Sequence, residues 1–480
     1  MSELARALGA ALAAGRTEPE LLARLGEPDP AAAAAAFGRL LALPPLKERA
    51  AWLGAELARG ASPGAGAAAL ADLALHRPDI GLLLDRAPLL PRVVAASRAL
   101  ARTLLRRPDL ADELAGTPPP PPHARPGEPL PVDFEAIREH KYRGLLRIAA
   151  RDLGGRDFRR GMEELSELAD ACLCGALAAV CGEARVEPPA LFALGKLGGR
   201  ELNFSSDVDV LFIYAADSPE IDLARNRELE PVIRAFRSRL EERSALGFGY
   251  RVDLDLRPEG RQGALANSVQ AALTYYESFG QEWERQAMIR LRHVAGPEEP
   301  ARAFQEAVAP FVWRRALDPR VLERVSDMKA RIERERRDAG RDLGRELKEG
   351  PGGIRDVEFL VQALQLLLGG RDPSLRSGNV LDALAALARA RALPEEAAAD
   401  LSDAYLWLRR AEHALQMDEE RQTHLLPRSP TALAALARRM GYPQETAAEA
   451  RDALLGDHEA VRARVRRRFH ELVIREAEEE

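Results

Sequence analysis

Cysteine is nearly absent: Cys172, Cys174 and Cys181 are the only three in 480 residues. An odd number confined to one predicted helix, beside Leu165 and Leu168, supplies neither a disulfide framework nor a fourth ligand at zinc spacing, so they read as buried thiols. Aromatic residues make up only 5%. No run of about 18 uncharged apolar residues is present, and Met1-Ser2-Glu3-Leu4 lacks a basic start followed by an apolar stretch, so neither a membrane span nor a signal peptide is expected. Charge of one sign is missing too, because 69 basic and 75 acidic residues intermix to a net charge of −6. That balance argues against nucleic acid or an anionic membrane as partner, and the cytoplasm is the expected location. The eight histidines are scattered, and His413 and His424 read as ordinary polar positions.

What is abundant is alanine, leucine, arginine and glutamate, a composition that favours helix. At this length several cores are expected, since one core stops growing at about 250–300 residues. Residues 1–116 show helical periodicity through Leu89, Leu90, Val93, Val94 and Leu100. Thr117 to Pro131 is proline-rich and reads, over 117–132, as an extended loop or linker. Residues 133–187 form a helical region leading into a different pattern, which ends at Pro188-Pro189. Ala190–Leu194, Val208–Tyr214 and Phe248–Leu256 are short apolar or alternating runs, the best strand candidates, with a helix from Leu223 to Leu246 between the second and third. A catalytic domain over 188–295 and a helical domain over 296–480 complete the division, with Gly350-Pro351-Gly352-Gly353 and Gly369-Gly370 as interruptions.

Chemistry concentrates in the segment from Leu194 to Phe212. Strand side chains alternate, so Asp207 and Asp209 point the same way at the start of an apolar strand. Unpaired carboxylates there would repel and one would take up a proton, whereas one or two Mg²⁺ ions would remove that cost. Gly198 and Gly199 can let backbone N–H groups approach a phosphate, and a helix starting near Arg200 would add its dipole. The third strand candidate adds Asp253. Lys196, Arg200, Arg251, Arg257 and Arg285 are candidates to neutralise phosphate, and Lys348 with Arg355 form a second possible anion site. Phe279 and Trp283 read as core.

A Gly-Gly turn, an Asp-x-Asp on one strand and a third Asp on a neighbour resembles the nucleotidyltransferase superfamily. The run Gly195-Lys196-Leu197-Gly198-Gly199-Arg200-Glu201-Leu202-Asn203 followed by Ser205-Ser206-Asp207-Val208-Asp209 is similar to the signature of the glutamine synthetase adenylyltransferases, which have two homologous halves. Tyr250 to Asp253, Leu256-Arg257-Pro258, Trp283 to Met288 and Gly352 to Phe359 fall in the family's order. Asn203-Phe204-Ser205-Ser206, Gly353-Ile354-Arg355-Asp356 and the segments Leu408 to Glu412 and Gln422 to Pro427 resemble the N-terminal, AMP-removing half. Asp255 departs from the pattern, standing where the family usually has arginine.

The resemblance implies a mainly α protein with an embedded α/β nucleotidyltransferase domain of the DNA polymerase β type and a C-terminal helical bundle. It implies catalysis through Asp207, Asp209 and Asp253 as ligands of two Mg²⁺ ions, with Lys196, Gly198, Gly199, Ser206 and Arg257 holding the nucleotide or phosphate. The implied substrate is glutamine synthetase carrying AMP on a tyrosine, attacked by phosphate to give ADP. A nitrogen-signalling regulatory protein is an implied further partner. Forward transfer of AMP from ATP is the enzymatic alternative, and a non-catalytic binding module of the same fold is the other.

Overall fold

The apolar runs between residues 190 and 214 form the middle of a five-stranded mixed sheet. The computed structural model describes residues 2–116, 133–315, 331, 334–340 and 342–478, so the proline-rich loop lies outside the described residues. Strands β1 (Ala190–Ala193) and β2 (Val208–Tyr214) pair antiparallel, and β5 (Arg292–Ala295) pairs antiparallel with the far edge of β1. On the other edge of β2, β3 (Val252–Asp253) and β4 (Ala266–Ser268) pair parallel with successive stretches.

Alternate residues of this sheet enter two different cores. Leu191, Ala193, Val210 and Phe212 belong to one that also takes in the helices Phe134–Leu153, Phe158–Ala184 and Pro219–Glu241. Phe192, Leu211 and Ile213 belong to the other, against the helices Val269–Ser278 and Glu298–Val312. Burial on both faces is why β1, and β2 beyond Asp209, read as continuous apolar runs. The helix after β2 starts with the Ser218 side chain accepting from the amide of Ile221 and with Pro219 in its first turn, and it buries Leu229, Val232, Ile233, Phe236 and Leu240 as its spacing predicts.

Two expectations need correction. The third strand shrinks from Phe248–Leu256 to two residues. Gly247 at φ 137° turns the chain before it, and Arg257 curls the chain after it by donating to the carbonyls of Leu254, Arg261 and Gly263. Strands β4 and β5 are additional; at three and four residues they are too short to show alternation. Among the described residues one helix, Phe158–Ala184, is long and apolar enough by composition to cross a membrane, and 67% of its most apolar window is buried against the rest of the protein. It carries all three free cysteines, Cys172 and Cys181 buried and Cys174 half-buried.

The remainder is helical. The first core is continuous from Leu4 to the sheet, whereas the helices from Ile354 onward pack around their own core, including Val357, Leu384, Leu401, Tyr405 and Leu454. The two ends of the chain meet: Arg438 and Arg439 donate to the carbonyls of Ala58 and Ala96, each the last residue of a helix, and the Glu445 carboxylate accepts from the amides of Glu3 and Leu4. Cations at helix C-termini and an anion at an N-terminus complement the helix dipoles.

In the C-terminal core His458 is 5% exposed and stacks on Trp407 with centroids 5.9 Å apart. Burial, aided by Arg462, pushes its pKa down to about 4. The unfolded chain therefore binds the extra proton between about pH 6.5 and 4, and stability is lost as pH falls through that window. A shift of this size corresponds to about 3 kcal/mol. Chemical denaturation at stepped pH should show that loss in the wild type and a flatter profile in His458→Phe; parallel profiles would assign the acid sensitivity elsewhere.

Candidate active site

The parallel register of β2 and β3 places Asp209 directly beside Asp253. Val208 and Val252 are buried while Asp207, Asp209, Asp253 and Asp255 are half-exposed, so each strand presents its carboxylates on one face. Asp207 precedes β2, and its Oδ1 lies 2.5 Å from the Nε of Arg251. Asp253 Oδ1 accepts the amide of Asp255 at 2.7 Å.

Asp209 is the enclosed member of the three. Burial, then Asp253 and Asp207, lift its pKa to about 6 against the opposing charges of Lys348 and Lys196. The amide of Leu194 donates to its carbonyl at 2.9 Å, and its Oδ2 abuts the Gly195 backbone so closely that a Cβ there would fall 2.1 Å away. Gly195 also has φ 53°, in the left-handed region. It is the glycine that the carboxylate requires.

The neighbouring glycines answer to packing instead. A Cβ on Gly198 would lie 1.9 Å from the Arg290 carbonyl, and one on Gly199 2.7 Å from the Gly378 carbonyl. No helix starts near Arg200, which has φ 56°; the only helical turn is Gly195–Gly198, just before it. That part of the phosphate-cradle expectation is therefore corrected. Ser206 is buried and its hydroxyl accepts the amide of Asn203 at 3.2 Å.

Among the expected anion-binding residues, Lys196 is largely enclosed and pairs with Glu412 at 2.6 Å. Arg257 is buried and pins the loop after β3 through three carbonyls. Arg355 pairs with Glu349 at 3.1 Å, and Arg285 lies against the ring of Phe311. Lys348 is half-buried and near enough to Asp209 to lower its pKa, and among the described residues its ammonium makes no hydrogen bond or ion pair. Asp255 pairs with exposed Arg261 at 2.7 Å, so the extra acid is compensated locally. Phe279 and Trp283, expected in the core, are 66% and 44% exposed: Phe279 caps the end of the helix that buries Tyr276, and Trp283 stands in the first turn of the short helix that follows.

Asp207 and Asp253 open on a cavity of about 1070 Å³, walled also by Arg234, Arg237, Arg251 and Arg257. Hard oxygen donors beside a half-buried, proton-attracting Asp209 suit a divalent cation. As the side chains stand, however, no three His, Cys, Asp or Glu groups among the described residues converge on one point, Asp207 being held by Arg251.

Sequence reasoning noted Arg409 and Glu412 only as part of a family-like segment, and missed Gln416. They form a buried polar line on the helix Glu395–Glu419 and bond to the segment entering β2. The signal was available as polar residues at helical spacing between apolar ones. His424 is likewise no ordinary polar position, its Nδ1 lying 2.6 Å from Glu412, and His413 is buried between Phe158 and Phe204.

Residues 88–307 match the family model described as glutamate-ammonia ligase adenylyltransferase, and residues 323–473 match that of GlnD PII-uridylyltransferase. Among curated relatives, a protein of Stenotrophomonas maltophilia is 40% identical over 362 residues, covering 72% of this chain and 39% of its own. One of Thioalkalivibrio sulfidiphilus is 40% identical over 394 residues, covering 73% and 39%. Both are named bifunctional glutamine synthetase adenylyltransferase/adenylyl-removing enzyme, so the chain spans about two fifths of the length of these relatives. With the five-stranded sheet inside the matched region, the chain belongs to the glutamate-ammonia ligase adenylyltransferase family.

Proposed function

We propose that this chain removes AMP from an adenylylated tyrosine of glutamine synthetase by phosphorolysis, on a sheet of the DNA polymerase β type, and so takes part in regulating nitrogen assimilation. The observation that carries the reading is the Asp209–Asp253 pair, facing each other across β2 and β3 beside an arginine-walled cavity. Family membership supports nucleotidyl transfer, and the likeness of Asn203-Phe204-Ser205-Ser206 and Ile354-Arg355-Asp356 to the removing half favours release over attachment. A nitrogen-signalling protein is a further proposed partner.

In the reaction an oxygen of inorganic phosphate attacks the AMP phosphorus and the bond from that phosphorus to the tyrosyl oxygen breaks. The proton given up by phosphate ends on the tyrosine, and ADP departs. Asp207, Asp209 and Asp253 would hold two Mg²⁺ ions, which when bound supply Lewis-acid polarisation of phosphoryl oxygens. Lys348 and Lys196, whose charges act on Asp209, would bring positive charge to the incoming phosphate and to the transition state. Arg251, once Asp207 turns from it, is placed to do the same at the cavity mouth.

Adenylylated glutamine synthetase incubated with the chain, Mg²⁺ and phosphate should yield ADP, and EDTA should stop it. Transfer from labelled ATP to the unmodified synthetase should run at least about tenfold more slowly, because selection between phosphate and the pyrophosphate portion of ATP rests with the basic residues and not with the carboxylates. Efficient labelling from ATP with no phosphate-dependent release would reverse the proposed direction.

A further inference from the structure

The helix Glu395–Glu419 buries Leu401, Ala404, Leu408 and Ala411, yet along the same buried surface it carries Tyr405, Arg409, Glu412 and Gln416. Burying such groups is costly unless each finds a partner. Their partners cluster in the segment that enters β2. Arg409 donates to the Glu201 carbonyl and, at 3.0 Å, to Asn203 Oδ1. Gln416 accepts the amide of Ser205 at 2.9 Å, and the Ser205 hydroxyl donates to the carbonyl of Glu420 just past the helix.

Glu412 is the hub. Its side chain is 0% exposed, and Oε1 lies 2.6 Å from both Lys196 Nζ and His424 Nδ1. Oε2 accepts from Asn203 Nδ2 and stands 3.2 Å from Arg409 Nε. Burial works to raise its pKa, but Lys196, His424 and Arg409 overcome that and hold it well below the carboxylate range, so the group is an anion. Lys196 adjoins Gly195, whose backbone touches Asp209, while Asn203 lies four residues before Asp207. A flexible four-carbon stem has no geometry of its own, and an ammonium serves phosphoryl transfer only if something aims it.

We propose that Glu412 is a positioning residue for phosphoryl transfer: it aims the Lys196 ammonium at the Asp209 side of the site and ties the Asn203 turn to the Glu395–Glu419 helix. This rests on the functional reading above. The pairing spans 216 positions, so the C-terminal helices complete the active site instead of merely supporting it.

The test is a double-mutant cycle of Glu412→Gln and Lys196→Met. It is read in kcat for whichever direction of AMP transfer the wild type performs and, independently of turnover, in the affinity for inorganic phosphate measured by calorimetry. Each single variant should lower kcat by on the order of 100-fold and weaken phosphate about tenfold, leaving KM for the protein substrate within about threefold. The double variant should fall no more than about threefold below the worse single one, because both changes remove the same aimed charge. Gln416→Leu, on the same helix surface but not touching Lys196, should lower thermal stability and combine multiplicatively with Lys196→Met.

Multiplicative losses for the Glu412 and Lys196 pair, or a Glu412→Gln variant altered only in stability, would overturn the proposal. Should Glu412→Gln not fold, Glu412→Asp keeps the charge and withdraws it by one methylene, and the same non-additivity with Lys196→Met is required of it. If the wild type neither releases nor attaches AMP, the functional reading falls, and the phosphate titration still decides whether Glu412 acts through Lys196.

Discussion

Asp209→Asn is expected to lower AMP transfer by at least about three orders of magnitude while the chain stays folded. The effect on turnover follows from its place: it is the enclosed carboxylate, paired in register with Asp253 and touching Gly195. The effect on stability has the opposite sign. Its folded pKa, raised to about 6, lies above the ordinary aspartate value, so the folded chain binds the extra proton between about pH 4 and 6 and stability declines as pH rises through that window. Above it the penalty is constant, of order 3 kcal/mol. Without divalent ions the asparagine variant should therefore melt at or above the wild-type temperature at neutral pH. With Mg²⁺ the wild type should gain more than the variant, because a cation bound only to the folded state stabilises it by mass action. Retained turnover would remove Asp209 from the proposed machinery; a lower melting temperature in EDTA would show that its burial is not the strain described.

Arg409→Met should be the most destabilising single change at the site, costing about 3–5 kcal/mol in denaturant unfolding. The guanidinium is 0% exposed and binds Tyr405 Oη at 2.7 Å, Asn203 Oδ1 at 3.0 Å and the Glu201 carbonyl, with Glu412 beside its Nε. Methionine fills similar volume but leaves those acceptors buried without donors, which is the expensive half of any hydrogen bond. The comparison is Arg261→Met, which breaks the exposed Asp255 pair and should leave unfolding unchanged. Similar midpoints for the two variants would show that the buried line of polar groups contributes little to the fold.

Both predictions depend on contacts of different legibility. The strand carrying Asp209 could be read directly, since Val208–Tyr214 is apolar but for Asp209 and is observed with those bounds. The helix after it announced itself through Leu229, Val232, Ile233, Phe236 and Leu240. Phe248–Leu256 misled because its alternation persists where the backbone does not: Arg257 gathers the loop's carbonyls and ends pairing after Asp253. Gly198 and Gly199 were legible only in part. A glycine shows that something comes close without naming it, and only the fold shows that the backbone of Arg290 and Gly378 does so here.

By itself the sequence determined which side chains share a strand face, which helix surfaces are apolar, and that acidic and basic residues gather around one short apolar strand. These are consequences of local geometry, because the 2.0 and 3.6 residue periods write the buried face into neighbouring positions. Tertiary structure alone decided that Asp209 meets Asp253, that the charge of Lys348 acts on Asp209, and that Lys196 is held by Glu412. Such pairings join segments that are consecutive only in space, and no local period encodes them. The same holds for charge: an arginine reads alike whether it is buried against carbonyls, as Arg257 is, or left to meet a phosphate, and only the packing around it separates the two.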